Sequence, residues 1–481
     1  MRRYIIYYTV LVALMLTFAI YTAMHFPYTY MTLEGDNYWV LTRDFWHLKL
    51  ATPPALTTWL ADFLMQYYSS PFIAAGIEAL ALGLIGLLAR RWLSWLALLP
   101  PVILGFFCTF SLTFMLQWLF FFLMLNAFAT TGLKGRLAWS LLCVPIGFFL
   151  MRTPLLALLI ISQAALACKA FGIKKCTIWL MPLALVGVAP LVYSQQIAFI
   201  PFEERYTAFG TYFDALTSRY NRDGEYVKKL VCLSNEGRWE DLLYKEHVKG
   251  DARRGNSAAL RYALLAESAL GTLPDNFLDY PIREENQFFY PHQTEYVASQ
   301  FNRLFYLNLC IYDEAYHHAQ EYGQLQPNGI CFSSLRQMVD YSIEEGDYEI
   351  SEKFIEILSK SSCHKSFIES RRQKMSACKS SDQQKKPVSL RADNFVGGFP
   401  LPIEMLRLAR YYGDCPQQKK MVDYAICCYM LRGDAERFVI ATRAFDIYKD
   451  KPLPKAYREF WERYVSTAST ASSVSNPLDR R

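Results

Sequence analysis

Seven apolar runs fill the first 200 residues, and the charges between them alternate in sign from one side to the other. The runs are 4–24, 71–89, 92–110, 112–129, 137–151, 153–171 and 177–199. A helix crossing a bilayer needs about 20 apolar residues, roughly 17–25. In hydrocarbon every backbone polar group must be satisfied internally, so such runs are confined to helices. Leu137–Phe171 exceeds one ordinary crossing and is interrupted by Arg152-Thr153-Pro154, so it reads as two spans, of which 137–151 is the shortest.

Lys and Arg are retained on the cytoplasmic side of a membrane. Arg2, Arg3, Arg90, Arg91, Lys134, Arg136, Lys169, Lys174 and Lys175 all fall on one side if the N-terminus is cytoplasmic. The other side receives Arg43, Lys49 and Arg152 with Glu34, Asp36, Asp44 and Asp62. Seven crossings then place everything after Phe199 outside. The expectation is a multi-pass protein of a bacterial inner membrane, with its C-terminal domain periplasmic. The first run has the basic start of a signal peptide, but its length, the lack of a small-x-small cleavage site and the further spans favour a retained anchor.

Composition follows the same division. Residues 1–200 hold 12 Lys+Arg and 5 Asp+Glu, a net of +7, and the remainder holds 38 and 39. The chain's +6 therefore belongs to the membrane half, where the charges punctuate apolar runs. They form no folded basic surface, which argues against a nucleic-acid partner. The 33 Phe, 32 Tyr and 10 Trp exclude disorder for most of the chain.

The predicted fold class is all-α: a seven-helix transmembrane module (1–200, with an external loop 25–70), then an extracytoplasmic helical-repeat domain. Helical patterning covers 201–375 and resumes over 392–463, with a polar linker at 376–391 and a Ser/Thr/Ala-rich disordered tail at 464–481. A phrase recurs at turns: Asn235-Glu236-Gly237, Glu345-Gly346-Asp347 and Arg432-Gly433-Asp434. Glycine ends a helix without a Cβ penalty, and an acidic residue favours the next N-terminus. These units resemble tetratricopeptide-type repeats without a strict 34-residue period; a generic helical bundle is the competing reading.

Cys108, Cys143, Cys168 and Cys176 lie in or beside the spans and read as packing residues, while the eight external cysteines permit disulfides. Glu78 is the one acidic residue inside a run, marking either a functional site or a helix–helix hydrogen bond. His317-His318 and Cys363-His364 read as exposed helix positions, because neighbouring side chains on a helix diverge. No phosphate loop, dinucleotide fingerprint, nucleophile elbow or H-E-x-x-H motif occurs.

The external loop carries the most chemistry. It reads Glu34-Gly35-Asp36-Asn37-Tyr38-Trp39, then Arg43-Asp44, then Pro53-Pro54, followed by Leu56, Trp59, Leu60, Phe63, Leu64 and Tyr67 at helical spacing. Such an amphipathic helix suits a membrane interface. Acids held beside it suit a general base or a divalent cation. The structural alternatives are an N-cap for Asp36 and a solvated position for Glu34.

A first span, an external acidic motif, a Pro-Pro amphipathic stretch and a second span closed by Arg90-Arg91 together resemble the opening module of GT-C-type glycosyltransferases. The resemblance implies a transferase using a polyprenyl-phosphate-linked sugar in envelope glycan assembly. It implies Asp36 as the catalytic acid with Glu34 as second choice, and Arg152 and Arg43 as substrate-binding cations. The whole chain also resembles multi-pass membrane proteins of Bacteroidota grouped under a domain of unknown function. The alternative reading is a non-enzymatic, membrane-anchored scaffold that binds envelope proteins through its repeat domain.

Overall fold

The structure is a computed structural model that describes residues 2–51, 53–107, 112–171, 177–194, 222–291, 296–380, 400–410, 416–448 and 452–465. The end of the third predicted span, the end of the seventh, the linker beyond Ser380 and the tail beyond Val465 lie outside the described residues. Among the described residues there are 23 α-helices and no strand. The all-α expectation holds. By contact the chain divides into two units, Met1–Glu225 with Lys360–Cys363, and Tyr226–Ser359 with His364–Arg481.

The first unit contains α1 (Arg2–His25), α2 (Pro27–Asp36), α3 (Arg43–Leu50), α4 (Ala55–Met65), α5 (Pro71–Leu93), α6 (Leu99–Val102), α7 (Leu112–Thr130), α8 (Leu133–Leu150), α9 (Thr153–Phe171) and α10 (Leu180–Tyr193). Four helical stretches are long and apolar enough to cross a membrane: Arg3–His25, Pro71–Phe106, Leu112–Thr130 and Thr153–Ala170. Gly135–Leu150 and Thr177–Tyr193 are shorter apolar helices. The chain is a membrane protein on this composition. On α1, Ile5, Val12, Leu16 and Ile20 are each more than half exposed, an apolar outer face suited to lipid.

The predicted third span differs from a plain helix. After α5 the backbone turns at Ser94 (φ 53°), runs as a 3-10 turn to Leu98, then as the short α6 and a π turn, Ile103–Phe107. Pro100 and Pro101 sit in the first turn of α6, where a missing backbone donor costs nothing, and the departure from α5 falls earlier, at Ser94.

α7 packs on α4, α5, α8 and α9 and fills the middle of this unit. α1 approaches α5 closely: a Cβ on Gly86 would meet Leu11 at 2.8 Å, and the Tyr7 hydroxyl donates to the Gly86 carbonyl at 2.9 Å. Glu78 on α5 is fully buried and accepts the hydroxyls of Tyr30 and Tyr68, each at 3.1 Å. Its carboxylate is therefore satisfied between helices, as the hydrogen-bond reading of this residue expects. Cys143 is a buried thiol, whereas Cys168, expected as a packing residue, is disulfide-bonded.

The second unit takes up α11 (Arg222–Asn235) from Tyr226 onward. It continues with α12 (Val248–Arg253), α13 (Ser257–Leu270), α14 (Leu273–Asn276), α15 (Tyr296–Asn308), α16 (Tyr312–Gln324), α17 (Phe332–Glu345), α18 (Tyr348–Ser359) and α19 (Lys365–Ser380). Its last helices are α20 (Pro402–Ala409), α21 (Pro416–Arg432), α22 (Ala435–Ala444) and α23 (Lys455–Phe460). Neighbours in sequence are neighbours in space: α15 packs on α16, α16 on α17, α17 on α18 and α18 on α19.

The recurrent turn phrase does what its residues suggest. Gly346 closes α17 at φ 80°, and Gly433 follows α21 at φ 66°, a left-handed conformation that costs other residues a Cβ clash. Asp434 then caps α22, its Oδ1 accepting Arg437 N–H at 3.0 Å.

Two expectations fail here. α19 continues through Ser380, so the first part of the expected linker is helix. His364 is buried and His318 is half-buried, so neither is the exposed position expected. His318 stacks on Tyr306 and bonds Glu321 at 2.9 Å, and His364 packs on Phe332 at 4.2 Å. Both make use of an aromatic neighbour that the sequence spacing does not display.

Candidate functional site

The segment between α1 and α4 of the first unit is described from Phe26 to Ala51. Pro27 starts α2, its missing N–H costing nothing at a helix start. The Glu225 carboxylate receives the next two amides, Tyr28 N–H at 2.7 Å and Thr29 N–H at 2.9 Å, together with the Thr29 hydroxyl. A negative group at this end is favoured by the helix dipole.

Glu34 and Asp36 therefore occupy the last turn of α2. Asp36 closes a helix where it was expected to open one, so its N-cap reading is overturned. Glu34 is 7% exposed, so the solvated reading is overturned as well. In the same unit the Cys363 thiol is pushed up by burial, with a smaller push from the Glu34 charge. Beside it, Ser361 Oγ donates to Gln66 Oε1 at 2.9 Å.

The chain after Asp36 is extended and aromatic. Trp39, Val40 and Phe45 form a small core with Tyr38, Trp59 and Phe63. Asn37 Nδ2 donates to the Asp62 carbonyl at 2.7 Å. Asn37 Oδ1 and Trp39 Nε1 are buried with no hydrogen-bond partner among the described residues. Buried polar atoms are nearly always satisfied, so each of these two could still take a polar partner.

α4 is the amphipathic helix expected after Pro53-Pro54. Its small and polar face, Ala55, Thr57, Ala61 and Asp62, is buried, while Leu56 and Tyr67 beyond it are exposed. Trp59 and Phe63 pack into the small core and Leu60 and Leu64 against the larger one, so most of the expected apolar stripe is turned inward.

The predicted cations divide. Arg43 is exposed at the start of α3, and its Nε donates to His47 at 3.2 Å along its own helix. Arg152 is half-buried: its carbonyl accepts Leu155 and Leu156 N–H at 3.0 Å, starting α9, and its own N–H donates to Gln117 at 3.1 Å. Sequence reasoning missed the loop's buried ion pair, Lys49 with Asp62, both about nine-tenths buried. The two lie on different helices, and only the fold brings them together. Among the described residues, no three His, Cys, Asp or Glu side chains gather as a metal-ligand set.

The second unit holds a larger candidate, a cavity of about 610 Å³ whose walls come from α11, α13, α15, α16, α17, α19 and α21. On α17 the spacing Ser333, Arg336, Gln337, Asp340, Glu344 puts one stripe on the cavity, and on α19 Phe367, Arg371 and Lys374 do the same. Five cations line it (Arg303, Arg336, Arg371, Lys374, Lys420) against two carboxylates, Asp340 and Glu344.

Both carboxylates are already engaged by the same wall. Arg371 grips Asp340 with two bonds of 2.5 and 3.0 Å, and Lys374 pairs with Glu344. Arg303 is only 1% exposed and is held by neutral groups: Tyr341 Oη, Asn235 Oδ1 and Gln300 Oε1. Lys420 Nζ donates to Asn308 at 2.9 Å, and burial lowers its pKa. A buried cation without a carboxylate partner is costly. An anion entering the cavity would lower that cost.

A family model described as a family of unknown function, DUF6057, matches residues 2–473. The search of curated proteins and the search of solved structures each give no match.

Proposed function

The chain belongs to that family of unknown function, and from its own residues we propose that it is a membrane-anchored capture protein. Its second unit binds an acidic polypeptide segment of an envelope partner. One observation carries this reading: the cavity's five cations face two carboxylates that are already paired within the wall. The apolar side chains of Leu304, Leu307 and Phe367 on the same walls suit a segment that mixes acidic and apolar residues. The test is binding of a labelled Asp/Glu-rich peptide to the full chain in lipid discs, against a Lys-rich peptide of equal length. Affinity for the acidic peptide should fall with salt.

The placement of this domain is part of the proposal: seven crossings, a cytoplasmic N-terminus and an extracytoplasmic second unit. The distribution of Lys and Arg supports it. A reporter active only outside the cytoplasm, fused after Phe199, is expected to be active; a silent reporter would overturn the orientation.

A second reading keeps the transferase, with Asp36 as base or as ligand to a divalent cation, Glu34 as second choice, and Arg152 and Arg43 for a polyprenyl-phosphate donor. The orphan Asn37 and Trp39 atoms in the same motif favour it. Under this reading Asp36→Ala abolishes function at unchanged protein level and leaves acidic-peptide binding intact. Full function of that variant would end it.

A further inference from the structure

Between Glu78 and Glu203 the chain has no acidic residue, while Arg90, Arg91, Lys134, Arg136, Arg152, Lys169, Lys174 and Lys175 fall in that stretch. Three of these cations converge. A cavity of about 330 Å³ at the ends of α5, α7 and α9 and the start of α8 is lined by Arg91, Arg136 and Lys169, with no acidic residue among its lining. Its apolar wall includes Trp92, Phe128 and Leu166.

Arg91 and Lys169 are exposed at the rim and Arg136 is half-buried, and both arginines lean on an aromatic ring. The Arg91 guanidinium lies over the Trp92 ring at 5.6 Å, and that of Arg136 over Phe128 at 5.4 Å. Arg136 Nε also donates to the Thr131 carbonyl at 3.0 Å, fixing the head of the side chain at the helix start. Below, Phe128, Ala167 and Trp179 form a buried apolar cluster with Trp139 and Leu166. Trp179 is held by Ser140 Oγ at 3.0 Å, and Ser140 in turn by Gln163 at 2.8 Å.

A pocket with three cations at its mouth and apolar walls beneath has the chemistry of an anionic lipid: phosphate oxygens outside, hydrocarbon inside. Topology alone asks only that Lys and Arg lie at this end of the helices. It does not ask three helices to aim them into one cavity. The two readings thus differ in what they predict for binding.

We propose that Arg91, Arg136 and Lys169 form a binding site for a phosphate-bearing headgroup. The source is either an anionic membrane lipid or a soluble phosphate compound. The experiment is native mass spectrometry of the full chain released from detergent, titrated separately with phosphatidylglycerol, phosphatidylcholine and inorganic phosphate. Thermal unfolding with each addition is the second readout.

The lipid source predicts that phosphatidylglycerol is retained and raises the unfolding temperature, while phosphatidylcholine and phosphate do neither. Competition by millimolar inorganic phosphate would assign the site to a soluble compound and overturn the lipid. The double variant Arg91→Gln/Lys169→Gln leaves the backbone bond of Arg136 in place and should bind phosphatidylglycerol roughly 30-fold more weakly, from ~1 kcal/mol for each cation near a charged surface. Equal retention of phosphatidylglycerol and phosphatidylcholine by the wild-type chain would overturn the site itself. So would unchanged phosphatidylglycerol affinity in a normally folded double variant.

Discussion

Replacing Glu267 by alanine is expected to cost the second unit about 3 kcal/mol of stability. Its side chain is fully buried on α13 and accepts four donors: Thr272 Oγ1, Asn276 Nδ2 at 2.8 Å, Tyr280 Oη at 2.7 Å and Lys249 Nζ at 3.1 Å. Burial alone would raise its pKa, yet the hydrogen bonds outweigh burial and hold the carboxyl below its ordinary value. Removing the carboxylate strands buried donors and the Lys249 charge. Breaking a buried pair this way costs about 3–5 kcal/mol, and Lys249 is 17% exposed and can reach water, which favours the lower end.

The sign with pH follows. A depressed carboxyl pKa stabilises the fold above the ordinary value of 4.5, and that contribution is lost as pH falls through the folded value. The wild type should therefore lose its advantage over Glu267→Ala in acid. Denaturant unfolding of the full chain at neutral and acid pH measures this, with hydrogen exchange over residues 249–280 giving its location. A difference between the two proteins that stays constant down to acid pH would refute the ionised hub.

The second large effect is on binding. Arg336→Glu/Lys420→Glu should weaken capture of an acidic peptide about 100-fold, equivalent to ~2.7 kcal/mol. Both positions line the cavity, whereas loss of Arg371 or Lys374 would also remove the ion pairs to Asp340 and Glu344 that build the wall. Each reversal deletes an attraction and adds a repulsion in a partly buried cavity, where salt screens less than at an open surface. Unaltered affinity, with unfolding behaviour like the wild type, would remove the cavity from consideration.

The parts of this fold that were readable are the ones governed by local chemistry. Apolar length announces the long helices α1, α5, α7 and α9. Gly346 and Gly433 announce their turns because only glycine takes positive φ without penalty. What could not be read depends on residues far apart in the chain. Glu225 reaches Tyr28 across 197 positions, Lys49 meets Asp62 from another helix, and the cavity's cations come from α15, α17, α19 and α21.

The acidic loop shows both cases. That Glu34 and Asp36 would sit just after the first long apolar helix was legible. That Asp36 ends a helix was not, because the stop is set by the extended Asn37 that follows, where the backbone leaves helical geometry (ψ 156°). Likewise the third apolar run had the right length, yet its backbone leaves α geometry at Ser94 and again over Ile103–Phe107, which length alone does not display.

Lys360–Cys363 belongs to the first unit, although the residues on either side belong to the second. A soluble fragment made by cutting once, after Glu225, would carry these four residues away from their partners, leaving Ser361 without Gln66 and Gln66 without Ser361. The second unit is thus not a cassette that a single cut can detach or transplant. Insertions and swaps in this chain have three junctions to respect.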